Sequence, residues 1–176
     1  FHTRPWFTPT RDFNADDVLF TFGRFLDREH PFNKAFPANF IYPQNLGLAK
    51  AIAKMEKLDD HTVRFTLTQP NVTFVTWFAM AFAGIQSAEY GAQLLREGKA
   101  AQINRLPIGT GPYRFRSYAK DDVVRMEANP DYWGAPQRTR KLIFTISREA
   151  PVRVQKLLAG ECQITSPLRD IDVAAI

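Results

Sequence analysis

Residues that could carry catalysis are few in this sequence and lie far apart along it. The histidines stand in unrelated contexts, and there is neither a Gly-x-Ser-x-Gly elbow nor a His-Glu-x-x-His motif; they are His2, His30 and His61. The single cysteine, Cys162, has no histidine near it in sequence. A cysteine hydrolase would use Cys162 as nucleophile beside a base supplied by the fold. We favour the alternative of a small buried thiol or half of a disulfide, and predict that the chain is not an enzyme.

Cofactor and metal sites are not indicated by the spacing of glycines and acids. Gly109-x-Gly111 precedes a proline and a strand pattern, whereas a dinucleotide loop needs a helix N-terminus that presents its amides to phosphate. The acidic pairs lack the alternating ligands of a calcium loop, and helix-cap or turn roles account for them; they are Asp16-Asp17, Asp59-Asp60 and Asp121-Asp122. We therefore expect no cofactor and no bound metal.

The charge of the chain permits several partners and requires none. The 176 residues carry a formal net charge of +5, which is compatible with nucleic acid, anionic lipid or acidic ligands. The densest basic stretch, Arg138-x-Arg140-Lys141, has no aromatic-basic motif or Cys/His finger beside it, so we predict no nucleic-acid binding. The sequence has no run of about 18 uncharged apolar residues, so we expect no membrane-spanning helix.

The elements that must position any site alternate between helix and strand patterns. Asn14 caps a predicted helix to Arg28, with Asp17 three residues on and an apolar stripe that includes Phe22. Further helices are predicted at 71–79, 87–98, 150–159 and from Asp170, and strands at 52–58, 62–67, 113–118, 123–128 and 141–146. The fold class is α/β with mixed sheets, and a turn near Gly109 divides residues 1–108 from 109–176.

One segment is unusual because it combines prolines with aromatic side chains. Between His30 and Leu48 stand Phe32, Phe36, Phe40 and Tyr42 together with three prolines. The prolines exclude a continuous helix, so we predict a long aromatic loop. Such a loop either covers the core beneath it or borders a ligand, and both readings remain open.

Three motifs together resemble one family. Pro9–Phe22 is similar to the start of the small subdomain in periplasmic dipeptide-binding proteins, Ile108–Tyr113 to their crossing strand, and Asn129–Gly134 to the tyrosine-tryptophan turn that follows. The stretch at 58–63 and Gly160–Gln163 follow in the expected order. The resemblance is to the extracellular solute-binding proteins of ABC transporters, family 5, and it covers essentially the whole chain.

The resemblance implies a fold and a function. Residues 1–108 would be the small α/β subdomain of the first lobe and 109–176 part of its larger subdomain, so we expect an internal lobe-one fragment of a longer protein. The implied function is capture of di- or oligopeptides in the periplasm and delivery to a membrane permease by a monomeric, non-enzymatic receptor. Members of the family also carry haem, glutathione or antimicrobial peptides, and these remain alternatives.

The resemblance also implies roles for three residues. Asn39–Tyr42 aligns with a loop that borders the ligand pocket and carries two tyrosines in the family. Tyr42 matches that pattern, whereas Phe40 lacks the hydroxyl. We take both as ligand-binding candidates. Cys162 matches a cysteine whose disulfide partner lies near the mature N-terminus, outside this chain, which implies an oxidising compartment.

Overall fold

The computed structural model describes residues 1–167, in which helices and short strands alternate. The prediction of a helix from Asp170 lies outside this range. The first part holds α1 (Ala15–Leu26), α2 (Pro31–Ala35), α3 (Ile41–Asn45), α4 (Leu48–Ala51), β1 (Ile52–Asp59), β2 (Thr62–Leu67), two 3₁₀ turns (Phe74–Ala79 and Ala81–Ala83), α5 (Ala88–Arg96) and a third 3₁₀ turn (Ala100–Asn104). The second part holds β3 (Tyr113–Ala119), β4 (Val123–Ala128), β5 (Lys141–Thr145) and α6 (Ala150–Leu158).

Helix α1 begins where its sequence predicts. The Asn14 side chain accepts from the Asp16 amide, and the Asp17 carboxylate accepts from the Asn14 amide at 3.0 Å, which completes a capping box. The Asp17 carboxylate also accepts from the Ala88 amide at 2.8 Å, at the start of α5. One buried carboxylate therefore fixes the beginnings of two helices.

The apolar stripe of α1 packs on the β1–β2 hairpin. The hairpin is antiparallel and pairs Met55 with Phe65, as its alternating sequence predicts. Phe22 is buried in this cluster, and its ring contacts Phe65 at 5.3 Å between centroids. Edge-to-face packing of this kind stabilises the cluster beyond the contribution of the apolar area that each ring buries. The hairpin thus covers one side of α1.

The opposite side of α1 adjoins a second cluster built on α5. The Ser87 side chain caps α5 by accepting from the Tyr90 amide at 3.2 Å, and Tyr90 and Leu94 are buried as predicted. The N-terminal aromatics belong to this cluster: Phe7 is buried, and Phe1 and Trp6 are partly buried against it. Internal packing therefore accounts for the apolar character of the first residues.

The second part of the chain is an antiparallel three-stranded sheet in the order β3-β4-β5, followed by α6. The N-terminal segment lies against this sheet. His2 Nε2 donates to the Gly111 carbonyl at 3.0 Å, and Arg4 pairs with Glu127 at 3.1 Å. The division near Gly109 separates the two sheets in sequence and stays a prediction.

Two sequence predictions differ from the structure in detail. The segment from His30 to Leu48, predicted as a loop, contains two short helices, α2 and α3, and ends where α4 begins. Pro31 is compatible with α2 because it takes the first turn, where its missing amide costs nothing. The helix predicted from Asn71 through Val75 and Phe78 is instead a 3₁₀ turn beginning at Phe74, and Val75 is exposed. The Asn71 side chain accepts from the Thr73 amide before that turn, so it shapes an Asx turn rather than a helix cap.

Candidate functional site

The candidate ligand residues Phe40 and Tyr42 lie at the beginning of α3. Phe40 is the residue before the helix and Tyr42 its second residue, while Pro43 is buried beneath them. Backbone hydrogen bonds from Gln44 to Phe40 and from Leu46 to Tyr42, both of 3.0 Å, hold the turn. The aromatic segment is therefore an ordered structure, which can present side chains in fixed directions.

Phe40 and Tyr42 lie in different environments. The Phe40 ring packs edge-on against Phe25 of α1 with 4.8 Å between centroids, and the Arg24 guanidinium carbon lies 5.3 Å from its centroid. Tyr42 is 62% exposed. Phe40 thus serves partly in core packing, as one of the two readings of the loop expects. Tyr42 leaves its ring and hydroxyl open to a ligand.

Phe25 connects this loop to a distant part of the sequence. The Phe82 ring contacts the Phe25 ring with 5.9 Å between centroids, so Phe25 packs against both Phe40 and Phe82. Met80, close by in the chain, and Ile41, beside Tyr42, are both exposed. Aromatic packing therefore extends from Phe40 through Phe25 to Phe82, and Ile41 adds an exposed aliphatic side chain next to Tyr42 in the chain. The sequence gives no periodicity that would place the 80–82 segment beside residue 40, because the packing depends on tertiary structure.

A cavity of about 680 Å³ opens behind the loop, between the end of α1 and α2–α4. Its size is in the range of small-molecule sites. Phe40 lines it, whereas Tyr42 is not among the lining residues. Apolar and amide side chains form most of the wall, and the cations at it are Arg24, Arg28 and Lys50.

Arg24 is the functional candidate that sequence reasoning missed. Its guanidinium carbon lies 4.5 Å from the centroid of the Phe32 ring, in addition to its contact with Phe40. Its Nη1 donates to the Gln86 side chain. Burial lowers the pKa of Arg24 to about 10, so it stays protonated at neutral pH. The sequence feature that could have indicated Arg24 is its position one helical turn after Phe20, on a helix face rich in aromatic residues.

A second cavity of about 650 Å³ lies between the N-terminal segment and the turn after β4. Its wall carries both signs of charge, with Asp12 and Asp131 as well as Arg114. Trp133, which is 84% exposed, lies at this cavity. The exposed indole of the tyrosine-tryptophan turn is therefore available to a partner surface or ligand.

The residues considered for catalysis have structural surroundings instead. The His30 side chain accepts from the Phe32 amide at 3.2 Å at the start of α2, and the His61 amide donates to Asp59 in the hairpin turn. Burial lowers the pKa of both His2 and His30. Cys162, which follows α6, is partly buried and has no disulfide partner within residues 1–167. Within residues 1–167, no group of three His, Cys, Asp or Glu side chains could hold a metal ion, and no helix is long and apolar enough to cross a bilayer.

Comparison with known proteins gives a consistent result. The sequence profile of the bacterial extracellular solute-binding proteins, family 5 (middle region), matches residues 7–176. The di/tripeptide-binding protein 1 of Pseudomonas aeruginosa is 54% identical over 177 residues, which is 100% of this chain and 33% of that protein. The dipeptide-binding protein of Escherichia coli is 37% identical over 99% of this chain and 32% of its own length.

Solved structures match the fold over nearly the whole chain. The dipeptide binding protein of a Pseudoalteromonas species, in complex with Met-Leu, superposes with a TM-score of 0.91 at 36% identity. HbpA2 of Haemophilus parasuis superposes with a TM-score of 0.92 at 41% identity. In each case 99% of this chain and 34% of the other are covered, so the chain spans about a third of the proteins it matches.

Proposed function

Because the chain belongs to the bacterial extracellular solute-binding proteins of family 5, we propose that the protein containing it captures di- and oligopeptides in the periplasm and delivers them to the permease of an ABC importer. The observation that carries this proposal is the 54% identity to a di/tripeptide-binding protein across the full chain. The relatives named above are peptide-binding proteins by name, which agrees with the expectation that this chain has no catalytic role.

The peptide as ligand class is supported by a structure with a bound dipeptide. The protein that superposes at a TM-score of 0.91 holds Met-Leu. Proteins of this kind enclose a ligand between two lobes that close about a hinge. Since the chain spans about a third of its relatives, it supplies one wall of such a cleft. The sequence predicts an internal fragment of a longer protein, and the 33% coverage of the di/tripeptide-binding protein is consistent with that prediction.

Within this chain we assign the wall of the cleft to Phe40 and Tyr42. Tyr42 would contact the peptide directly, because its ring is exposed and its hydroxyl can donate or accept. Phe40 would act as an apolar wall, since its ring already packs on Phe25 and has no polar atom. The loss of the hydroxyl at position 40 removes one hydrogen bond that a tyrosine there could make.

We further propose that Cys162 forms a disulfide with a cysteine outside this chain, that residues 1–108 and 109–176 belong to two subdomains, and that the receptor is monomeric. Partial exposure of the Cys162 thiol is compatible with such a bond. Mass spectrometry of the full-length protein before and after reduction tests the disulfide. A free Cys162 thiol in the periplasmic protein would contradict it.

Isothermal titration calorimetry of the full-length protein with a dipeptide panel, haem and glutathione tests the ligand class. We expect heat with dipeptides and none with the other two. Tyr42→Ala should weaken dipeptide binding by about tenfold, in the range for loss of an interface aromatic, whereas the exposed Tyr118→Ala on β3 should leave it unchanged. Binding of haem or glutathione without dipeptide binding would move the assignment to another ligand within the same family.

A further inference from the structure

The cavity behind the aromatic loop carries an excess of positive charge. Three cations line it, and within the described residues none of its lining side chains is Asp or Glu. The nearest acids in sequence are engaged elsewhere, since Asp27 accepts from the Glu29 amide at 2.8 Å and Glu29 pairs with Lys34 at 2.9 Å. A concave, partly enclosed surface of one sign concentrates counter-ions of the other sign.

Arg24 is the centre of this charge and is left incompletely paired. The residue is only 3% exposed, and within residues 1–167 no carboxylate lies within ion-pair distance of it. In the part of the chain that the structure describes, its Nε has no hydrogen-bond acceptor, and its one side-chain partner is the neutral amide of Gln86. Burying a charge without an opposite charge is costly, because the lost hydration is not replaced.

Aromatic rings surround the guanidinium and compensate for only part of this loss. The centroids of Phe32, Phe40 and Phe20 lie 4.5, 5.3 and 5.6 Å from the guanidinium carbon. Ring faces attract the cation. They supply no acceptor for its N–H groups, which prefer the paired oxygens of a carboxylate. The guanidinium therefore keeps N–H positions and a positive charge that the oxygens of an anion would satisfy together.

The rest of the wall indicates what that anion carries. Phe25, Leu26, Pro37 and Phe40 are among the lining residues, and amide side chains such as Asn39 supply neutral polar groups. An inorganic ion would leave this apolar surface uncovered, whereas an organic anion with a short apolar body would bury it. Among residues 1–167, those that line the cavity all fall in one stretch, from Arg24 to Lys50.

We propose that this cavity binds the carboxylate of a small organic anion, with the Arg24 guanidinium as counter-charge and the side chains of Phe25, Leu26 and Pro37 against its apolar part. The inference goes beyond peptide capture and does not depend on it. Arg28 and Lys50 attract the anion towards the opening.

The test is calorimetry on the full-length protein with 3-phenylpropionate and with its neutral isostere 3-phenylpropionamide, each measured without and with saturating Met-Leu. We expect the acid to bind about tenfold more tightly than the amide, as expected for a charge-assisted hydrogen bond, and to bind equally well with Met-Leu present. Equal binding of acid and amide, no binding of either, or full displacement by Met-Leu would each overturn the proposal.

Variants locate the site. Arg24→Gln should abolish the preference for the acid, Arg24→Lys should retain part of it, and Tyr42→Ala should leave it unchanged. If Arg24→Gln does not fold, the double variant Arg28→Gln, Lys50→Gln provides the second measurement and should weaken acid binding about threefold or more by reducing the local field. An acid preference that survives these changes refutes the assignment to this cavity. Because dipeptide binding is measured on the same samples, its failure and the failure of this proposal are distinguishable.

Discussion

The Asp17 carboxylate is the point at which the structure can be tested most sharply by a single substitution. The side chain is 0% exposed, and its two oxygens accept four hydrogen bonds. One oxygen accepts from Arg11 at 2.8 Å and from the Asn14 amide at 3.0 Å. The other accepts from Arg11 at 3.0 Å and from the Ala88 amide at 2.8 Å.

Asp17→Asn keeps the shape of the side chain and replaces one acceptor oxygen by an amino group. Whichever way the amide turns, two of the four donors then face a donor. A hydrogen bond to a charged group contributes about 1.5–3 kcal/mol, so loss of two predicts destabilisation of about 3–6 kcal/mol. The matched control is Asp16→Asn, whose partly exposed carboxylate pairs with Lys57 and should cost less than about 1 kcal/mol.

Urea unfolding of the full-length protein and both variants measures these differences, and amide hydrogen exchange locates them. We expect Asp17→Asn to lower the unfolding midpoint and to speed exchange at the Asn14 or Ala88 amide, while Asp16→Asn changes neither appreciably. A free energy of unfolding for Asp17→Asn within about 1 kcal/mol of the wild type would refute the reasoning that this carboxylate joins α1 to α5.

Three further substitutions probe other parts of the molecule. The buried Tyr90 hydroxyl has no hydrogen-bond partner within residues 1–167, and burial raises its pKa to about 12. Because Tyr90→Phe removes this unpaired polar group, it should raise the free energy of unfolding by about 1 kcal/mol in urea titrations. A decrease of that size would instead reveal a hydrogen-bond partner of the hydroxyl. Burial lowers the pKa of His2 and His30 below the unfolded value, so their contribution is present above about pH 6.5 and is lost as pH falls through the folded pKa. Unfolding measured from pH 7 to 5 should therefore depend less on pH in His2→Gln, and an unchanged slope would count against this. Burial raises the pKa of Glu127, but the hydrogen bond from Arg4 and neighbouring arginine charges outweigh it and leave the pKa lowered; Glu127→Gln should cost about 1–2 kcal/mol at pH 7, discounted for partial exposure, and the difference from wild type should shrink below about pH 4.5. A difference that is constant with pH would exclude the charge as its cause.

The sequence was most informative where local interactions determine structure. The caps at Asn14 and Ser87 and the β1–β2 hairpin depend on residues close together in the sequence, and each of the three later strands has its own local pattern. The helix closed near Gly98 ends as its left-handed glycine predicts, with φ of 65°.

The sequence was least informative where the chain is aromatic and interrupted by proline. Two short helices, and the start of a third at Leu48, replace the expected loop, since Pro31 is compatible with a first helical turn and tertiary packing decides the rest. The burial of Arg24 was equally out of reach. It depends on Phe32, Phe40 and Gln86, which lie 8, 16 and 62 positions away in the sequence.

The candidate site was therefore predicted in part. Resemblance to the family identified the loop and Tyr42, and the structure gives Tyr42 an exposed ring. The resemblance could not show that Phe40 packs on Phe25 and lines a cationic cavity, because these contacts form only when α1 and α3 pack together. Contact of Phe40 and Tyr42 with a ligand stays a prediction.

We propose that this chain forms one wall of a peptide-capturing receptor. The decisive measurement is mass spectrometry of the ligands that denaturation releases from the full-length protein, after its purification from the periplasm without added ligand. We expect a mixture of di- to oligopeptides, which is displaced when excess Met-Leu is added before denaturation. A single non-peptide solute, such as haem or glutathione, recovered at full occupancy and not displaced by Met-Leu, would contradict it.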